Sequence, residues 1–131
     1  LTHFSINSKV QSPKSHLRLK ASSFYLRACK IAEIKAHPAR FPTKLPEFFI
    51  KFLTQPNDIV VDIFAGSNTT GLACEKLGRK WLAFEKVPEY LAASAFRFIN
   101  EPKNAKFIFQ NLISNTELNT KFTSNKSITT S

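Results

Sequence analysis

Two carboxylates and a glycine-bearing loop carry the chemistry this sequence offers. Asp62 lies in the β-branched run Ile59-Val-Val-Asp-Ile63, and Phe64-Ala-Gly-Ser-Asn-Thr69 follows as a short turn before a helical pattern starts at about Thr70. Glu85 closes the next strand-like run, Lys80-Trp-Leu-Ala-Phe84, and stands 19 positions after Gly66. In α/β proteins that offset sets a second-strand acid on a ribose, where a carboxylate accepts from two free hydroxyls. Asp62 either accepts hydrogen bonds from a ligand ammonium or caps the turn behind it. Gly66 either lets a ligand approach the backbone closely or serves a tight turn.

The loop has neither the lysine of a phosphate-gripping loop nor the three-glycine spacing of a dinucleotide site, and position 68 holds Asn where glycine would be usual. A nucleoside without a pyrophosphate is the ligand class that remains. S-adenosylmethionine is the candidate cofactor, because its ammonium suits Asp62 and its ribose suits Glu85. Asn also tolerates a left-handed backbone, so it can make the turn a glycine would make.

These residues need a sheet and helices to hold them. At 131 residues the chain is about one domain long, and 43% hydrophobic residues with 13 Phe can supply a core. His37-Pro-Ala-Arg-Phe-Pro42 must be extended or turning, since each proline restrains itself and its predecessor. Thr43 is placed to cap a helix reaching about Leu53, with Phe48, Phe49, Phe52 and Leu53 on its apolar face. The run 59–63 reads as a strand buried on both faces. A helix over about Thr70–Leu77 ends at Gly78, and another runs from Val87-Pro88 to about Ile99. Lys106–Gln110 is expected to be a third strand. Residues 1–23 read as irregular, Phe24–Ile34 shows no clear period, and the last twenty or so residues read as a loose polar tail. The order strand, loop, helix, strand, helix, strand is that of an incomplete doubly wound parallel sheet, with ligands beyond the carboxyl ends of the strands.

Charge narrows the partners. The formal net charge is +10, and residues 1–45 hold nine Lys or Arg against one acid, Glu33, so the excess lies toward the amino terminus. A basic surface suits a polyanion such as nucleic acid, and a generally lysine-rich protein is the plainer alternative. Cys29 and Cys74 lack both a disulfide framework and zinc spacing, and the three histidines do not join them, so no metal site is expected. No apolar run approaches the ~18 residues needed to cross a membrane, which gives a cytoplasmic expectation. The absence of methionine and the start at Leu1 suggest a fragment, a processed chain or an alternative start codon.

Taken in order, His37-Pro-Ala-Arg-Phe-Pro42, Leu45-Pro-Glu-Phe-Phe-Ile50, Asp62-Ile-Phe-Ala-Gly-Ser-Asn-Thr-Thr-Gly71 and Trp81-Leu-Ala-Phe-Glu85 resemble the carboxyl-terminal part of an amino-group DNA methyltransferase. Asn in the loop and the run Pro88-Glu-Tyr-Leu-Ala-Ala-Ser-Ala-Phe-Arg-Phe98 look closest to the PvuII-type cytosine-N4 branch. The resemblance covers about residues 24–100. It implies a partial Rossmann-like, S-adenosylmethionine-dependent methyltransferase fold. It also implies that Asp62, Phe64, Gly66, Ser67, Asn68 and Thr69 surround the methionine part of the cofactor, Phe64 packing on it, and that Glu85 holds the ribose. Residues 37–44 would close over the methionine end, which brings Arg40, Phe41, Pro42, Thr43 and Lys44 into the candidate site. Phe64 as core, Arg40 and Lys44 as solvated charges and Thr43 as a helix cap are the competing readings.

The family's catalytic motif is Ser, Asp or Asn followed by two prolines and an aromatic, and it acts on a base flipped out of duplex DNA. None of the seven prolines here is adjacent to another, so this chain carries no catalytic residues of that kind. Residues 1–36 are then a basic remnant of the catalytic and target-recognition region, 37–110 the cofactor-binding part and 111–131 a tail. The expected activity is methyl transfer to N4 of cytosine in a restriction-modification setting, with this chain inactive alone and a second chain able to supply the catalytic half. Adenine-N6 transfer, a non-catalytic subunit of a split enzyme and a basic nucleic-acid-binding module without cofactor function are the alternatives.

Overall fold

The computed structural model describes residues 2–4 and 21–118. Three strands form one sheet in the order β1 (Thr2–Phe4), β3 (Lys80–Glu85), β2 (Ile59–Asp62). β2 and β3 are parallel, with Val60 beside Trp81 and Asp62 beside Ala83, so Asp62 and Glu85 finish at the same end of the sheet. β1 runs antiparallel to β3 on its other side, with Thr2 opposite Glu85. This places a strand in the segment read as irregular.

α2 (Lys44–Leu53) and α3 (Thr69–Leu77) pack on one face of the sheet. Ile50, Ala73 and Cys74 close over Trp81 and Ala83, with Val60, Leu77 and Phe98 packed around them. Phe98 stacks on Trp81 with ring centroids 5.1 Å apart. An ion pair between Lys76 and Glu47 fastens α3 to α2, and the Arg79 guanidinium donates to the Thr54 carbonyl at 2.7 Å. Gly78 takes the expected left-handed cap at φ 69°, its N–H reaching the carbonyls of Cys74 and Glu75.

The opposite face of β2 is bare among the described residues: Ile59 is 61% exposed and Val61 54%. The strand expected to be buried on both faces is therefore covered on one only. No described strand pairs with its outer edge. The described residues thus form an α/β unit with a two-strand parallel pair, and the complete doubly wound sheet is not among them.

A second cluster joins α1 (Ala21–Ile31), α4 (Pro88–Ser94) and α5 (Ala105–Leu118). Tyr25, Ala28, Cys29 and Ala32 follow helical spacing and are all buried, which gives α1 an inward stripe made mostly of small residues. That is why residues 24–34 show no period when only large apolar groups are weighed. α4 is shorter than expected: after Ser94 the chain tightens into a 3₁₀ turn, Ala95–Arg97, that buries Phe96. The strand expected at Lys106–Gln110 is instead part of α5, because Ala105, Phe109 and Leu112 form one helical face while Phe107 stands 68% exposed. α5 also carries the chain through Leu118, into the segment expected to be a tail, whose remainder lies outside the described residues.

Among the described residues no helix is long and apolar enough to cross a membrane, and no three or more His, Cys, Asp or Glu are grouped so as to hold a metal ion.

Candidate cofactor site

The loop from Ile63 to Asn68 leaves β2 at the carboxyl end of the sheet, and its shape is set by hydrogen bonds that both acids accept. Asp62 Oδ1 accepts from the Phe64 N–H at 3.0 Å, and Oδ2 accepts from the Thr70 hydroxyl at 2.6 Å. Glu85 Oε2 reaches across from β3 to accept from the Gly66 N–H at 2.9 Å, while Oε1 accepts from the Val87 N–H at 3.0 Å. Each oxygen keeps a second lone pair for another donor. Glu85 and the loop, 19 residues apart in sequence, are one hydrogen-bonded unit.

Asn68 sits in the left-handed region at φ 57°, as a residue standing in for glycine must. Its Oδ1 accepts from the Gly71 N–H at 2.9 Å and so caps α3. A Cβ on Gly71 would fall 2.4 Å from that oxygen, so the cap and the glycine require each other. The same bond fixes the amide orientation, since an N–H needs an acceptor. Asn68 Nδ2 is then left buried with no partner.

Gly66 is also left-handed, at φ 53°, and a Cβ there would lie 3.0 Å from the His37 imidazole. The left-handed backbone and the nearness of His37 both call for glycine here. The His37 ring is held in turn by its Nδ1–H, which donates to the Ala39 carbonyl at 2.7 Å, and by edge contact with Tyr90 at 4.5 Å. A carbonyl only accepts, so the proton is on Nδ1.

The remaining candidates fall into two groups. Ser67 in the loop and Thr69 at the start of α3 are buried, 3% exposed each. Phe64 is 85% exposed and points away from the core, which removes the core reading of that ring. Arg40 is exposed and its Nη1 donates to the His37 carbonyl at 2.6 Å, so it braces the turn beside the loop. Phe41 and Pro42 are exposed on the approach to α2, as is Lys44 at its first position. Thr43 precedes that helix with helical backbone angles and makes no side-chain capping bond, contrary to the cap expected of it.

Three residues in the site's support were not among the sequence candidates. Tyr90 edges His37, Tyr25 accepts from the His37 N–H at 3.3 Å, and Arg97 holds Ser67: its Nη2 donates to Ser67 Oγ at 2.8 Å and its Nε to the Ser67 carbonyl. The Arg97 guanidinium also lies 4.8 Å over the Tyr25 ring. Burial pushes the Tyr25 phenol up to about 12 and the Cys74 thiol likewise to about 12, so both stay protonated at neutral pH. Burial lowers the Arg97 guanidinium from its ordinary value without removing its charge. The signal for Arg97 in the sequence was a lone cation inside the apolar stretch from Leu91 to Ile99.

An α/β unit with two acids and a capped loop at one end of a parallel strand pair is the kind of site that takes a nucleoside-bearing cofactor. Residues 4–97 match the DNA methylase family (N6_N4_Mtase), and the chain belongs to that family. Over 76 residues it is 68% identical to the type II methyltransferase M.PvuII of Proteus hauseri, a match covering 58% of this chain and 23% of that protein. It is 45% identical over 58 residues to the type II methyltransferase M.BglI of Bacillus subtilis, covering 44% of this chain and 17% of the relative. The solved structure of the PvuII DNA methyltransferase (cytosine-N4-specific) superposes with a TM-score of 0.65 and 57% identity, over 69% of this chain and 33% of that one. The chain thus spans between about a quarter and a third of the length of the PvuII methyltransferases it matches.

Proposed function

We propose that this chain is the S-adenosylmethionine-binding portion of a site-specific DNA methyltransferase of restriction-modification type, working on cytoplasmic DNA. In this reading the methyl group goes to N4 of a cytosine flipped out of duplex DNA. The observation that carries it is the joining of Glu85 to the Gly66 amide, which puts the ribose acid and the loop after β2 into one site. Identity of 57% to the solved PvuII DNA methyltransferase (cytosine-N4-specific) supports the cytosine-N4 assignment, as does the resemblance of a loop with Asn at position 68 to that branch.

The residues present fit the cofactor. A buried amide N–H₂ on Asn68 lacks an acceptor, an aromatic ring at Phe64 stands in solvent beside the loop, and Glu85 has lone pairs left for ribose hydroxyls. When bound, S-adenosylmethionine supplies an electrophilic methyl on a sulfonium. Phe64 would give an apolar and π face for the cofactor, Glu85 would accept from the ribose, and the Asp62-braced loop with residues 37–44 would enclose the methionine end. Arg40 and Lys44 would supply positive charge for the methionine carboxylate.

No paired prolines occur in the chain, so methyl transfer requires a polypeptide that brings the Ser-Pro-Pro-aromatic motif. The bare face of β2 and the exposed Phe48, Phe52 and Leu53 of α2 are surfaces such a polypeptide would cover. Isothermal titration of the purified chain with S-adenosylmethionine tests the cofactor reading. Binding that weakens in Glu85→Gln is expected, and wild-type chain that binds no cofactor sinks the proposal. Methyl transfer to cytosine-containing duplex is expected only after co-expression with the part of M.PvuII that this chain does not match. Turnover by the chain alone would refute the claim of dependence.

A further inference from the structure

We infer that Arg97 is a positioning residue for cofactor binding, a clamp that holds the loop at Ser67 in its binding shape. The inference rests on the cofactor reading of that loop.

Arg97 lies in the 3₁₀ turn that ends α4, 30 residues beyond the serine it holds. Its guanidinium grips that one residue twice, through the backbone carbonyl and through the hydroxyl. Two directed bonds from a planar fork fix the orientation of a peptide as well as its position. Ser67 lies between the two left-handed residues of the loop, Gly66 and Asn68, where a peptide rotation would redirect every neighbouring N–H. Holding Ser67 therefore keeps the Gly66 amide on Glu85 and Asn68 Oδ1 on Gly71.

The guanidinium is itself held. It stacks over the fully buried Tyr25 ring, and Tyr25 meets the His37 N–H, whose ring closes against Gly66. α1, the turn at 95–97, the segment 37–40 and the loop are thus linked in one circuit. Among the described residues Arg97 forms no ion pair, and its guanidinium is partly buried. Its two bonds to Ser67 and its contact with the Tyr25 ring are the interactions that hold it there, so the group is accounted for by the shape it imposes on Ser67. In the cofactor reading Ser67 would lie beside the methionine part, so loss of the clamp would weaken ligands that carry that part.

The test compares wild type with Arg97→Lys, which keeps the charge and loses the fork, and Ser67→Ala, which removes only the hydroxyl bond. Two readouts are taken: amide hydrogen exchange, and titration with S-adenosylhomocysteine against 5′-methylthioadenosine, which lacks the amino-acid part. Arg97→Lys should speed exchange at Gly66, Asn68 and Gly71 about tenfold while leaving Thr54 and Arg79 unchanged, and should weaken S-adenosylhomocysteine about tenfold with methylthioadenosine within about twofold. Ser67→Ala should show the same pattern at smaller size. Unchanged loop exchange in Arg97→Lys overturns the clamp. Equal weakening of both ligands with a lowered melting temperature also overturns it, since that marks a plain stability role. If wild type binds neither ligand, the cofactor proposal fails, and with it the positioning role; exchange then shows only whether Arg97 orders the loop.

Discussion

Replacing Phe64 by alanine separates cofactor binding from folding more cleanly than any other single change in the loop. Its ring is 85% exposed, so truncation removes almost no buried surface and should leave stability within about 0.5 kcal/mol of wild type. The backbone N–H that Asp62 accepts from is retained, so the turn keeps its bracing. If the cofactor covers one face of the ring, roughly half of the ~1.5–3 kcal/mol of full Phe burial is at stake, and the π-face contact adds about 0.5 kcal/mol. The expected loss is therefore about 1.5 kcal/mol, close to a tenfold rise in Kd for S-adenosylmethionine. Titration calorimetry at neutral pH reads this directly, with thermal melting of the same samples as the control. A Kd within about twofold of wild type at unchanged melting temperature would refute the assignment of Phe64 to the cofactor. A large fall in melting temperature would instead show that the ring packs on the protein.

Asn68→Ala should lower unfolding free energy by about 2 kcal/mol in urea titrations, because the cap on Gly71 is lost and alanine tolerates the left-handed backbone less well than asparagine does; Asn68→Gly, which keeps the backbone at ease and loses only the cap, should lose less. Alkaline stability should fall as pH rises through the 10–12 window. The Tyr25 phenol has its folded value raised to about 12 by burial, so its contribution is intact below its ordinary value of 10.0 and disappears as pH passes about 12. Tyr25→Phe should flatten that part of the urea-midpoint profile, leaving the earlier decline that begins near the ordinary thiol value of 9.0 for Cys74. Phe48→Ser combined with Phe52→Ser should reduce self-association of the isolated chain in sedimentation runs without lowering its melting temperature, since both rings are more than half exposed.

Local grammar carried the half of the fold nearest the loop. The β-branched run at Ile59, Gly78 after an apolar helix, and Pro88 at a helix start each act through backbone preferences spanning a few residues, and each falls where the sequence puts it. The errors share a different cause. α1 was missed because its inward stripe is Tyr25 with two alanines and a cysteine, residues whose burial depends on helices 60 to 80 positions away. Phe107-Ile-Phe109 looked like a strand, yet packing Phe109 and Ala105 against α1 decides for a helix and leaves Phe107 in solvent. β2 looked like an interior strand, and among the described residues it is covered on one face.

The candidate site divides the same way. The sequence by itself determined which groups are available: two strand-end acids at a ribose offset, an Asn where glycine is usual, a basic amino-terminal third and no paired prolines. Those properties reside in residue type and spacing, so no fold is needed to read them. Only the tertiary structure decided what each group does with its hydrogen bonds. It gave both acids to the loop, set His37 against Gly66, turned Phe64 outward, and delivered Arg97 to Ser67 from the far end of α4. Hydrogen bonds and ring contacts extend a few ångströms in space without regard to sequence distance, so the 30 residues between Ser67 and Arg97 hid a contact that the folded chain makes directly.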